Sequence, residues 1–431
     1  MMLARLTLII AVSFATVAVA GEQSLPPMHL TLAKAMVMVS KENAQVFAAN
    51  ERVRQAMSNI TASRSGLLPQ VTGIFGGKRQ TSDLRASGIA LPGDPHVGPF
   101  NSFDTRLRLT MSILDPSAID RLKSAKAAEK LSQAEYRKIR QDIMAMTGAL
   151  FLEAQRSSQA VRLIRTQLTQ AKHQDELAKL KFKQGIGSDV DVQQARMQLA
   201  QAKYQLKAAQ VHAKQTRLDL AAALRLPAAQ EIIFDDDHQW ERQELSASTV
   251  SPDVAVSQAQ RDLSQAAVSE ARSGFWPKLI ATGDYGRLGE TPSNASNTYS
   301  LGLGISLPLW EGGIRQAQLA KARSQLSESD VLLDDAKNQD QVKVKEARDQ
   351  LSQAIAFVHA QAAQLDYINH QWHVMKDKLG SGLASRLEMD QADAVRASSM
   401  DEYNEAKALY WTAKINLAHA MGRLDQLFGI K

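Results

Sequence analysis

The chain has 431 residues, with 51 Lys and Arg against 45 Asp and Glu, and a formal net charge of +6 spread along its length. It holds no cysteine, which excludes disulfides, thiolate metal sites and a lipidated cysteine. No Lys/Arg block marks a nucleic-acid footprint, and past the N-terminus no run of about 18 apolar residues marks a membrane helix.

The first twenty residues read as an export signal. Arg5 precedes an apolar run from Leu6 to Val17, and Ala18-Val19-Ala20 predicts cleavage after Ala20. An exported chain without a membrane helix is periplasmic, secreted or a β-barrel. A helix is expected over about Leu30–Ser65, then strands over Pro69–Arg79 and Ser102–Leu114. In the second strand Phe103, Leu107, Leu109, Met111 and Ile113 alternate with Asp104, Arg106, Arg108 and Thr110. That period of two, apolar on one face and charged on the other, suits a barrel wall between lipid and water. The intervening Gln80–Asn101, rich in Gly, Pro, Ser and Asp, predicts an exposed loop.

From Ser117 to Gln184 there is one glycine, Gly148, and no proline, predicting a helix about 100 Å long. Its narrow stripe (Ala125, Ala128, Leu131, Ala134, Ile139) favours close pairing in a coiled coil over burial in a thick core. A turn with Gly185 and Gly187 follows, where Ser188 or Asp189 caps a returning helix that runs to Leu226 and stops at Pro227. Residues 227–253 are of mixed character.

The plan then recurs at an offset near 200 residues. Arg64-Ser65-Gly66-Leu67-Leu68-Pro69 returns as Arg272-Ser273-Gly274-Phe275-Trp276-Pro277, and Gly185-Ile186-Gly187-Ser188 as Gly382-Leu383-Ala384-Ser385. A helix near 254–273, strands over Pro277–Leu288 and Tyr299–Leu309, and a long helix over Ile314–Leu379 are expected. A turn with Gly380 and Gly382 and a return from Arg386 to Met421, ended by Gly422, complete the second half. The organisation is a signal (1–20), a first repeat (21–226), an inter-repeat segment (227–253), a second repeat (254–424) and a tail (425–431).

Two such hairpins supply four strands, and an open edge in lipid leaves backbone groups unpaired at several kcal/mol each. Known membrane barrels begin at eight strands. Two copies would close eight strands around packed side chains, and three would close twelve around a passage. Gly302, Gly304 and the polar inner faces favour the open bore, hence three copies.

These residues resemble the TolC family of outer-membrane ducts over nearly the whole chain. The marks are Leu30-Thr31-Leu32-Ala33-Lys34-Ala35, Gly66-Leu67-Leu68-Pro69-Gln70, the first tip from Gly185 to Ala195, Pro252-Asp253-Val254, and Leu307-Pro308-Leu309-Trp310-Glu311-Gly312-Gly313. The resemblance implies a mainly α chain with a membrane β-barrel contribution. It implies a homotrimer with a twelve-strand barrel in outer-membrane lipid, continued by a twelve-helix periplasmic tunnel. It also implies docking of the tips to a periplasmic adaptor and an inner-membrane pump, at Gly185, Gly187, Ser188, Gly380, Gly382 and Ser385. The gate falls on Asp191, which matches the family's first-hairpin aspartate, and on Glu388, at the outer acidic ring. The next ring position holds Gln391, with Asp390 adjacent, and the latch arginine aligns with Ala384, so Arg386 is the expected substitute. An Asp191–Arg386 pair between neighbouring hairpins is the expected closed contact. The alternative is a periplasmic coiled-coil adaptor with no channel of its own.

Nothing calls for catalysis or a cofactor. His370 and His373 stand one helical turn apart without an evident third metal ligand. Asp235-Asp236-Asp237-His238 reads as a solvated loop.

Overall fold

A computed structural model describes residues 26–83, 96–235 and 250–430. The export signal with its cleavage point, the middle of the first strand-pair loop, Asp236–His238 and Lys431 lie outside the described residues.

The first half opens with β1 (Met28–Leu30), α1 (Leu32–Glu42) and α2 (Ala44–Ser65) in place of the single helix expected from Leu30. Asn43 makes the break: its backbone is extended, and its side-chain oxygen accepts from the Gln45 amide at 2.8 Å, capping α2. There follow β2 (Gln70–Asp83), β3 (His96–Leu114), α3 (Pro116–Lys183), α4 (Asp189–Ala223) and β4 (Ile232–Phe234). The first strand pair thus reaches further into its loop than alternation predicted. The second half repeats this as α5 (Pro252–Ser273), β5 (Lys278–Gly289), β6 (Ser296–Ser306), α6 (Ile314–Gly380), α7 (Arg386–Ala420) and α8 (Leu424–Leu427).

Strand β6 stops at Ser306, short of Leu309, because its partner β5 begins at Lys278, opposite Ser306. Pro308 beyond has no amide to donate. The returning helices also end earlier than expected, at Ala223 and Ala420. Arg225 adopts φ 55° and Gly422 φ 64°, and the chain turns there. The amides of Leu226 and Arg423 reach back to the carbonyls of Ala221 and Ala418. Pro227 therefore follows a stop already made.

The long helices α3 and α6 have 68 and 67 residues, about 100 Å each. In the upper half the packing order is α2, α3, α5, α6; in the lower half it is α4, α3, α7, α6. The sheet runs β2-β3-β5-β6, antiparallel throughout. Every layer therefore has the same two edges: β2, α2 and α4 on one side, β6 and α6 on the other.

Among the described residues the largest buried cluster lies at mid-height. There β1 pairs in parallel with β4, and Leu30, Met36, Val39, Met144, Phe151, Leu220, Ile415 and Leu424 are buried together. Gly148 on α3 admits this packing, since a Cβ there would come within 2.7 Å of Ile415 and 2.5 Å of Met36. The C-terminal residues are no loose tail: Leu427 is buried in this core, with Phe428 and Ile430 against it.

Candidate functional site

The sheet is two-faced. Register aligns Gly73, Leu107, Tyr285 and Tyr299 in one row and Val71, Leu109, Gly283 and Leu301 in the next. Side chains of this face stand in the open: Phe75 is 78% exposed, Leu301 84% and Ile305 76%. Along β3 the alternating positions from Phe103 to Ile113 span ten residues, about 33 Å of strand and about 25 Å along the normal at a tilt of ~40°. That matches the lipid-facing band of an outer-membrane barrel. Trp276 and Trp310, both exposed at the strand–helix junctions, supply the aromatic girdle at the lower rim. No helix among the described residues is long and apolar enough to cross a membrane.

The opposite face carries Thr72, Arg108, Asp284 and Ser300 in one row. Arg108 pairs with Asp284 at 2.8 Å across β3 and β5, Ser300 donates to Asp284 at 3.2 Å, and Arg106 pairs with Asp104 at 2.6 Å. Charged groups placed and paired this way make a wall for water.

At the lower end the two tips are built alike. After α3 the chain turns at Gly185 (φ 75°), with the Ile186 amide donating to the Lys181 carbonyl and Gly185 to Phe182. After α6 it turns at Gly382 (φ 72°), with Leu383 donating to Lys378 and Gly382 to Leu379. Both turns need the left-handed backbone that glycine adopts without strain. Gly187 has a different reason: a Cβ there would sit 3.0 Å from the Lys181 Cβ. Gly380 closes α6 with open space around it.

Each returning helix begins with a reciprocal cap. Ser188 Oγ accepts from the Asp191 amide at 3.1 Å, and Asp191 Oδ2 accepts from the Ser188 amide at 3.0 Å and hydroxyl at 2.7 Å. Ser385 and Glu388 repeat this at 3.3, 2.7 and 2.8 Å. Of the two expected cap residues, Ser188 is the one used. The backbone amide of Ser188 holds the Asp191 carboxyl below its usual value, and that of Ser385 does the same for Glu388.

Asp191 and Glu388 are thus engaged within their own tips. Arg386 lies 3.3 Å from Asp390 of its own helix. Asp390 is buried, its side chain 8% exposed, and accepts from His173 Nδ1 of α3 at 2.7 Å, so it faces α3 rather than an open bore. Gln391 and Glu388 instead line a groove of about 570 Å³ between α6 and α7, with Trp372, Lys378 and Val395.

His370 also lines this groove, and His373 packs edge-on against Trp372. Trp372 donates to Asp393 at 2.6 Å beneath the Arg396 guanidinium. His29 meets Asp235 at 3.0 Å, joining β1 to the chain after β4. The His173–Asp390 contact spans 217 residues, and no local pattern in the sequence signals it. Of the Arg108–Asp284 pair, alternation put Arg108 on the charged face, but the sequence did not show Asp284 standing opposite it.

A four-strand section of membrane wall with two open edges, standing on helices about 100 Å long, defines a subunit of an outer-membrane duct. A family model described as outer membrane efflux protein matches residues 36–224 and 246–423, and the chain belongs to that family. It is similar to the alkaline protease secretion protein AprF of Pseudomonas aeruginosa, 25% identical over 393 residues, which cover 84% of this chain and 78% of that protein. It is also similar to the proteases secretion protein PrtF of Dickeya chrysanthemi, 20% identical over 410 residues, covering 92% and 88%. Its fold matches the Campylobacter jejuni CmeC outer membrane channel with a TM-score of 0.73 at 18% identity, over 91% of this chain and 85% of that one. The chain is an outer-membrane channel subunit of the kind serving efflux and type I secretion, and the adaptor alternative is set aside.

Proposed function

We propose that three copies close one twelve-strand barrel and one twelve-helix tunnel, gated and docked at the periplasmic tips. The observation that carries this reading is the coincidence of edges: β2, α2 and α4 bound one side of the subunit at every height, and β6 and α6 the other. A head-to-tail contact along those edges, repeated by rotation, leaves no unpaired strand in lipid. The tips then meet a periplasmic adaptor, which joins the duct to an inner-membrane pump that selects the cargo. In the closed ring Arg386 exchanges Asp390 for Asp191 of a neighbouring hairpin, and Glu388 faces passing ions. Mature protein recovered from outer membranes should migrate on unheated gels as a species of three chains and form channels in planar bilayers. A soluble monomer would end the proposal. Arg386→Ser should raise closed-state conductance, and Glu388→Gln should lower cation preference; unchanged values for both would remove the gate from these residues.

A further inference from the structure

The membrane face of the sheet differs between its two rims. At the periplasmic rim the row of Leu114, Leu279 and Ile305 is wholly apolar. Toward the strand-pair loops the row of Gly73, Leu107, Tyr285 and Tyr299 carries two exposed tyrosines, an aromatic girdle at the other lipid boundary. The next row holds Phe75, Thr105, Arg287 and Asn297, and two rows further out Arg79 stands opposite Asn101. Among the described residues no carboxylate shares this face between the tyrosine row and the register shift after Gln80. Arg79 is exposed and has no hydrogen-bond or ion-pair partner among the described residues. Arg287 donates from Nε at 3.1 Å and Nη2 at 2.8 Å to the Ala295 carbonyl, a neutral acceptor that leaves its charge unanswered. Ala295 lies against Gly289, in the row of Phe103 and Gly77. The Arg287 guanidinium is thus drawn to the outermost row of the apolar band, and Arg79 lies two residues beyond it, about 7 Å of strand.

We infer that Arg79 and Arg287 bind the phosphates of an outer-leaflet lipid, a phosphorylated glycolipid of the lipid A class. The inference rests on the barrel reading above and adds a ligand to the outside of that wall. A cation on the lipid face is costly at mid-depth and nearly free at the interface, which is where both guanidinium groups stand. A phosphate beside them turns tolerance into attraction, because the guanidinium fork matches two phosphate oxygens at once. The glycolipid offers two phosphates where a phospholipid offers one, and two arginines face it. The same face carries no cation in the row at the periplasmic rim, so the contact belongs to one leaflet. Because β2 is an edge strand, Arg79 stands at the seam between copies in the ring, and a lipid held there touches two subunits.

The test is a titration of trimer, purified in a non-ionic detergent, with lipid A carrying both phosphates, read by native mass spectrometry. Each arginine near an anionic headgroup is worth about fivefold in affinity, hence roughly 25-fold for the two together. Arg79→Gln should weaken binding about fivefold, and the double variant with Arg287→Gln roughly 25-fold. Removing both phosphates from the lipid should cost the wild type the same factor and the double variant nothing more. Lys78→Gln, on the watery face of β2 opposite Ser102, should bind as the wild type does. Inorganic phosphate at millimolar concentration should not compete. Equal binding by wild type and Arg79→Gln, indifference to the lipid's phosphates, or displacement by inorganic phosphate overturns the proposal. Arg287 also holds the Ala295 carbonyl, so Arg79→Gln, which breaks no contact, decides the matter if the double variant fails to assemble. A wild type that never runs as three chains on unheated gels would instead strike the barrel reading itself.

Discussion

Replacing Gly185 by alanine isolates one term at the first tip. The residue sits at φ 75°, and a Cβ there would meet nothing within 4 Å, so no clash contributes. What remains is the left-handed backbone penalty of about 1–2 kcal/mol for a residue with a Cβ. That penalty falls on the turn closed by the Ile186 amide on Lys181 and the Gly185 amide on Phe182, at 3.0 and 3.1 Å. Local opening of the tip should become about 5- to 30-fold more frequent. Hydrogen exchange of the Ile186 amide in the detergent-solubilised trimer should accelerate by the same factor. Gly382→Ala should act alike on the Leu383 amide, because φ is 72° and the space is equally empty. Gly380→Ala is the internal control: Gly380 is the last residue of α6, in open space, so alanine should slow exchange or leave it unchanged. Unaltered Ile186 exchange in Gly185→Ala would refute the claim that backbone handedness, rather than packing, fixes these turns.

On the lipid face, Leu303→Lys should cost about 2–4 kcal/mol and deplete trimer in the outer-membrane fraction, whereas Thr298→Lys, on the watery face of the same strand, should be tolerated; equal yields would misassign the faces. At mid-height Asp253 joins Lys138 of α3 and Lys343 of α6 at 2.5 and 2.9 Å. Burial alone would raise its carboxyl, yet the two ammonium groups hold it below the ordinary value. Its contribution is therefore complete above the usual Asp range and lost as pH falls through the depressed folded value. Because the carboxylate is 40% exposed, Asp253→Asn should cost only about 1 kcal/mol near neutrality and flatten the acid loss of trimer melting temperature. An unchanged acid profile would show that these pairs do not matter.

Long-range order was legible where a physical period enforced it. The 68-residue helix announced itself through missing prolines, and the membrane strands through strict alternation. Four short facts were not legible. Asn43 splits the first helix because a capping side chain outcompetes one more turn, and helix propensity on either side conceals this. Arg225 enters a left-handed conformation that nothing in its identity foretells. At the tips the glycines and serines were found, but Asp191 and Glu388 emerged as cap acceptors as well as gate candidates. Asp390, read beside a ring of carboxylates, proved buried against α3 because its partner lies 217 residues away.

The inner duplication sets a rule for whatever docks below. Each chain lowers two tips that share a backbone but differ in detail: Gly187 and Asp189 on one stand where Ala384 and Arg386 stand on the other. In the proposed ring of three chains the six tips alternate Asp189 with Arg386 at that one position, sixfold in outline and threefold in chemistry. A partner of six identical units must tolerate both kinds, or take up two postures in turn around the circle.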